Sequence, residues 1–186
     1  MIELRDFTSN GIFNNSSMGL VNEGDITINA STPRSVINTA SLFVNTENGS
    51  IFIRLDSTFQ VIGNTGRFEN HGALNGDVFK VDQFIFVSTE GSEFVNTGFM
   101  NLEVGMGGIL YGVRLWPGSQ ASNSGEIDMK LIHLSEIGLE VQMNSNFVNE
   151  ASGSIEINAT SPSGAPLIIN EGGVLDDQGE LIVIIR

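Results

Sequence analysis

The sequence predicts an all-β fold, a single-stranded parallel β-helix of about seven coils, and three observations carry that expectation. First, an asparagine followed by a glycine, framed by apolar residues, recurs seven times. Second, the motif asparagines Asn22, Asn45, Asn70, Asn96, Asn123, Asn149 and Asn170 lie 23, 25, 26, 27, 26 and 21 residues apart, a period in the range of solenoid repeats. Third, apolar residues keep fixed offsets from the motif, so equivalent side chains of successive windings can lie over one another.

The strand after each glycine comes first. Two residues beyond it stand Ile26, Ile51, Leu74, Met100, Ile127, Ile155 and Val174, all apolar. Two further on stand Ile28, Ile53, Leu102, Met129 and Ile157, with Gly76 and Asp176 as exceptions. This alternation is the period of a half-buried strand. Two residues before each asparagine runs a second apolar column: Leu20, Phe43, Phe68, Phe94, Ala121, Phe147 and Ile168. Stacking at the strand spacing of about 4.8 Å would make it a buried ladder.

Further strands of each coil are expected in the apolar or alternating runs 35–37, 59–62, 78–87, 109–116 and 131–143. No stretch of useful length has helical periodicity. At the turns, Asn tolerates left-handed backbone and its amide can bond to a neighbouring amide, while Gly enters positive φ freely. Stacked turns would therefore build an asparagine ladder of the kind seen in cross-β assemblies. Two copies, Asn45 to Gly49 and Asn149 to Gly153, carry two extra residues that should bulge outward. Seven coils give a rod roughly 34 Å long, read here as one domain over residues 1–186.

Eight basic against 22 acidic residues leave a net charge of −14, which repels phosphates and anionic headgroups and argues against nucleic acid as a partner. The absence of cysteine removes disulfides and thiolate chemistry. Met1 to Phe7 shows no basic stretch leading into an apolar one, so no signal peptide is expected there. No apolar run approaches the 18 or so residues of a membrane span.

The repeat, from about Asn14 to Leu181, resembles the right-handed parallel β-helices of bacterial surface and secreted proteins, namely filamentous-haemagglutinin-like adhesins and autotransporter passenger domains. That resemblance implies a right-handed coil, an extracellular or cell-surface location and a structural or adhesive role. The same architecture hosts pectate lyases and phage tailspike hydrolases, so a polysaccharide-processing lyase or hydrolase is the alternative expectation.

Catalysis of that kind needs a basic proton abstractor near carboxylates, or a carboxylate pair at a defined separation. The eight basic residues are scattered about one per coil. His71 and His133 lack ligand spacing, so no zinc site is expected. No catalytic or cofactor-binding residue is assigned. Asp176, Asp177 and Glu180 are the candidates for a hard cation such as Ca²⁺, which takes six to eight oxygens, against the plainer reading of a solvated turn. Trp116 and nearby Tyr111 could stack on a sugar, although a lone Trp at a strand end is more often a corner plug.

The last strand-like run holds five consecutive apolar residues, 181–185. An open strand edge invites pairing, so the expected partners are copies of the chain end to end or adjoining coils of a longer parent, with surface glycans as a further expectation. The functional expectation is a non-catalytic rod or fibre segment.

Overall fold

The computed structural model describes residues 1–105, 109–160, 163–169 and 172–186. Every regular element among them is a strand, and every strand pairing is parallel between successive windings. The chain winds into a β-solenoid of about seven turns, each with three faces.

The first face stacks β1 (Ile2–Arg5), β4 (Asp25–Ala30), the first half of β7 (Ser50–Asn64), the first half of β9 (Ala73–Ser88), β11 (Phe99–Val104), β14 (Glu126–Ile132), β17 (Ser154–Thr160) and β20 (Glu180–Ile185). The second face stacks β2 (Asn10–Asn14), β5 (Ser35–Thr39), the remaining halves of β7 and β9, β12 (Ile109–Leu115), β15 (Leu134–Val141) and β18 (Ala165–Ile169). In the third and fourth coils β7 and β9 pass from the first face to the second as continuous strands, which joins the two faces into one 13-stranded sheet. The third face is a separate 7-stranded sheet: β3 (Leu20–Asn22), β6 (Leu42–Asn45), β8 (Arg67–Asn70), β10 (Glu93–Asn96), β13 (Gln120–Asn123), β16 (Asn146–Asn149) and β19 (Val174–Asp177).

The short third-face strands explain the motif. Side chains alternate across a strand, so Phe68 and Asn70, two apart, both point inward and are fully buried, while Arg67 and Glu69 face out. Phe43, Phe68, Phe94 and Phe147 fall in one register column, with Ala121 between the last two. Phe43 and Phe68 stack at 5.0 Å with planes 4° apart, and Phe86 from the second face wedges against Phe68 and Phe94 at 6.0 and 4.4 Å. The inward residues of all three faces form one continuous core.

Three sequence expectations need correction. The seventh repeat is not the one that starts at Ile168. Ile168 lies on β18 opposite Glu140 of the second face, and Asn170 lies outside the described residues. The residues in register with Phe147, Asn149 and Ile155 are Leu175, Asp177 and Leu181, and Gly179 meets Gly153 as its counterpart. Val183 thus takes the inward position assigned to Asp176, opposite Ile157.

The motif glycines in true register are also not there for left-handed backbone. Positive φ occurs at Gly19, Gly91, Gly118 and Gly172, of which only Gly172 is a motif glycine, in the copy that lies out of register, and at the non-glycine residues Asp6, His133 and Asn144. Close approach is the cause. A Cβ on Gly72, Gly98 or Gly125 would overlap the carbonyl oxygen of Gly49, Gly72 or Gly98 in the winding before. Gly24 begins the series and has nothing beneath it.

The six described ladder asparagines, Asn22 to Asn149, do not use left-handed backbone either, since none of them has positive φ. Their amides are the reason for their presence. The two longer turns behave as expected: Glu47 and Asn48 are exposed, Gly49 N–H closes the turn on Thr46 at 2.8 Å, and Asn45 keeps its register with Asn70.

Candidate functional site

The largest organised polar array is the ladder itself. Asn22 Nδ2 donates to Asn45 Oδ1, Asn45 to Asn70, Asn70 to Asn96, Asn96 to Asn123 and Asn123 to Asn149, each at 2.8 Å. Each Nδ2 also donates to a main-chain carbonyl of the next winding, from Ser50 to Glu180, at 3.1–3.4 Å. Both amide protons and the oxygen are thereby bonded in an interior where an unbonded amide is costly. The ladder is a structural device.

The structure separates the three candidate cation ligands. Asp177 turns inward and accepts from Asn149 at 2.8 Å. Asp176, on the opposite side of the strand, accepts from Gln178 Nε2 at 2.9 Å. Glu180 opens β20, where its main-chain oxygen accepts from Asn149. Among the described residues no three His, Asp or Glu side chains converge as a metal site.

A constellation that sequence reasoning missed sits on the outer side of the third face. His71 follows ladder residue Asn70, just past the end of β8, and its Nε2 lies 2.9 Å from Glu69 Oε2 two residues back. Its Nδ1 lies 2.7 Å from Thr97 Oγ1 one winding on. Arg67 bonds both Glu69 and Glu93. Burial pushes the Glu69 carboxyl up, but the hydrogen bonds from His71 and Arg67 and the Arg67 charge outweigh it and hold the carboxyl below its ordinary range. A cleft of about 420 Å³ opens beside it, lined by Glu23, Thr46, Glu47, Asn48 and His71. An imidazole held by a carboxylate on one nitrogen and a hydroxyl on the other is placed to move a proton.

This constellation could have been found by aligning the residues that follow each ladder position. They read Glu23, Thr46, His71, Thr97, Ser124, Glu150 and Gln178, and the main-chain N–H of each from Thr46 onward bonds the ladder residue one winding back.

Trp116 and Tyr111 belong to a second cluster. The Arg114 guanidinium lies 4.1 Å from the Tyr111 ring centroid and 5.7 Å from that of Trp116. Its Nε is 2.6 Å from Glu140 Oε2, on the neighbouring second-face strand, and the Glu140 side chain is almost wholly buried. Trp116 is 41 % exposed, so it caps the turn without filling it. His133, with φ of 61°, turns the chain between β14 and β15 and takes no part in either cluster. No family model, curated protein or solved structure matches this chain, so its function has to be argued from this geometry.

Proposed function

We propose that the chain is a non-catalytic structural or adhesive solenoid, a rod or fibre segment that works outside the cell or on its surface and presents side chains along its length. The observation that carries this reading is the amide ladder, which runs in one direction through every winding without a break. Each of its members is spent on holding the next coil in register. Rigidity along one axis is the property a spacer requires, and quasi-one-dimensional stacking supplies it. The partners that suit such a rod are further coils or another copy, paired through the strand edges of the outermost windings, and surface glycans on its flanks.

Electron microscopy of the purified chain tests the reading, with short rods that lengthen as concentration rises as the expected result. A particle that stays monomeric by light scattering at high concentration would remove the end-to-end partner. A second reading, a polysaccharide lyase or hydrolase, draws support from His71 poised between Thr97 and Glu69 beside a cleft. Cleavage of acidic or neutral polysaccharide that disappears in His71→Ala would establish that reading over the first.

A further inference from the structure

The outward side of the first face carries a pattern that neither core nor ladder uses. Thr27, Phe52 and Asn75 occupy one column on successive rungs, and two residues further along the same strands Asn29, Arg54 and Asp77 occupy the next. Arg5 lies one rung before Asn29. Phe52 is 43 % exposed, an aromatic ring on an outward, polar face, where it takes no part in the core. Arg54 is freer still: its side chain is 71 % exposed and its Nε lies 4.0 Å from Asp77, a loose pair.

The chain beside this grid forms a cleft of about 440 Å³ whose lining includes Arg5, Asp6, Asn29, Ser31, Arg54 and Asp56. Asp6 adopts a left-handed backbone, φ 50°, as the chain leaves β1 at the rim of the cleft. Two guanidiniums and two carboxylates line the cleft, and both guanidiniums already have a carboxylate outside it, Arg5 with Glu3 and Arg54 with Asp77. A polyanion would meet both aspartates and a polycation both arginines, within a chain that is already strongly acidic.

A ligand that suits equal numbers of fixed donors and acceptors carries groups able to do both, which is the property of hydroxyls. A pyranose also has an apolar C–H face that matches an exposed aromatic ring. We propose that this face binds a neutral glycan, with one sugar ring on Phe52 and the next in the cleft, its hydroxyls held by Arg54, Asn29 and Asp56. The proposal deepens the adhesive reading and rests on it.

The test is titration calorimetry of the full chain with cellohexaose, chitohexaose and maltohexaose, and with polygalacturonate as the anionic probe. At least one neutral hexasaccharide should bind. Phe52→Ala and Arg54→Gln should each weaken it about tenfold or more, the loss expected of a stacking contact or a charged hydrogen bond. Trp116→Ala, which alters another half-exposed aromatic, should stay within about twofold of the parent. Both test side chains face solvent, so unchanged thermal unfolding confirms that the variants fold.

Failure of all three neutral sugars to bind overturns the proposal. So does binding that is indifferent to both substitutions, or stronger binding of polygalacturonate. These outcomes leave the rod reading standing. Shortening of a bound hexasaccharide during the titration would overturn the non-catalytic reading while leaving the binding face in place.

Discussion

Asn149 donates its side-chain amide to the carboxylate of Asp177 at 2.8 Å, the distance at which Asn123 donates to Asn149 one winding earlier. The last described rung of the ladder is therefore an aspartate in the role of an asparagine. A carboxylate accepts as well as an amide oxygen but has no proton to pass on. Asp177→Asn keeps the acceptor and should change stability by less than about 0.5 kcal/mol, whereas Asp177→Leu strands one Asn149 proton at a part-exposed position and should cost about 1 kcal/mol. Urea unfolding monitored by circular dichroism distinguishes the two.

A central rung is a different case. Asn96 is fully buried, accepts from Asn70, and donates to Asn123 and to the Glu126 carbonyl. Asn96→Leu orphans groups on both sides at once and should cost about 3 kcal/mol or more, since each unsatisfied buried group costs roughly 1–3 kcal/mol. Asn22, which begins the chain of amides, has no ladder donor before it and loses its downstream partners and the local Gly24 N–H, so Asn22→Leu should cost less. Equal losses at the two positions would mean that the ladder does not act as a connected unit.

The glycines give a sharper contrast, because identical substitutions fall on identical motifs. In Gly98→Ala the new methyl meets the Gly72 carbonyl and the His71 backbone, neither of which can move without parting two coils. Overpacking of that kind typically costs about 1–3 kcal/mol. Gly24→Ala meets nothing and should stay within about 0.5 kcal/mol. If positive φ were the reason for these glycines, the two variants would be equally damaged.

The windings were legible in the sequence because like residues recur where like environments do: the phenylalanine and asparagine columns are inward neighbours on one short strand, and an inward position tolerates little variety. The last coil misleads for the same reason. Residues 168–174 reproduce the letters of the motif, while the coil in true register reads Leu175, Asp177, Gly179 and Leu181, with aspartate where the letters ask for asparagine.

A second polar column escaped notice altogether. Asn14, Thr39, Asn64 and Ser88 stack where the second-face strands end and then give way to Leu115 and Val141. Asn14 donates to Thr39, and Asn64 to Ser88. Three residue types, Asn, Thr and Ser, satisfy that position, so no single letter marks it. The His71 site was hidden because its partners on the next winding are 26 residues distant.

The aromatic column sets the scale of the core. Phe68 is fully buried, stacked on Phe43 and wedged by Phe86. Phe68→Ala should cost about 3–5 kcal/mol and lower the unfolding midpoint with little change in its denaturant slope. Phe52→Ala, the same substitution on an outward face, should be nearly neutral to stability, which is why it can serve as a binding probe.

Acid should act on two carboxylates in opposite senses. Glu69 is held below its ordinary pKa of 4.5, so the folded chain binds that proton less readily than the unfolded chain. The stability it lends is present above about pH 4.5 and is lost as pH falls through the depressed folded value. Asp128 is held above its ordinary value by burial first and by repulsion from Glu103, with Lys130 offsetting part of the effect. It therefore costs stability when ionised and is relieved by acid. Glu69→Gln should flatten the decline of stability between roughly pH 5 and pH 3, while Asp128→Asn should raise stability at neutral pH and steepen that decline. Urea midpoints measured across this range check both, and a parallel shift of the two curves would show that neither carboxylate carries the assigned role.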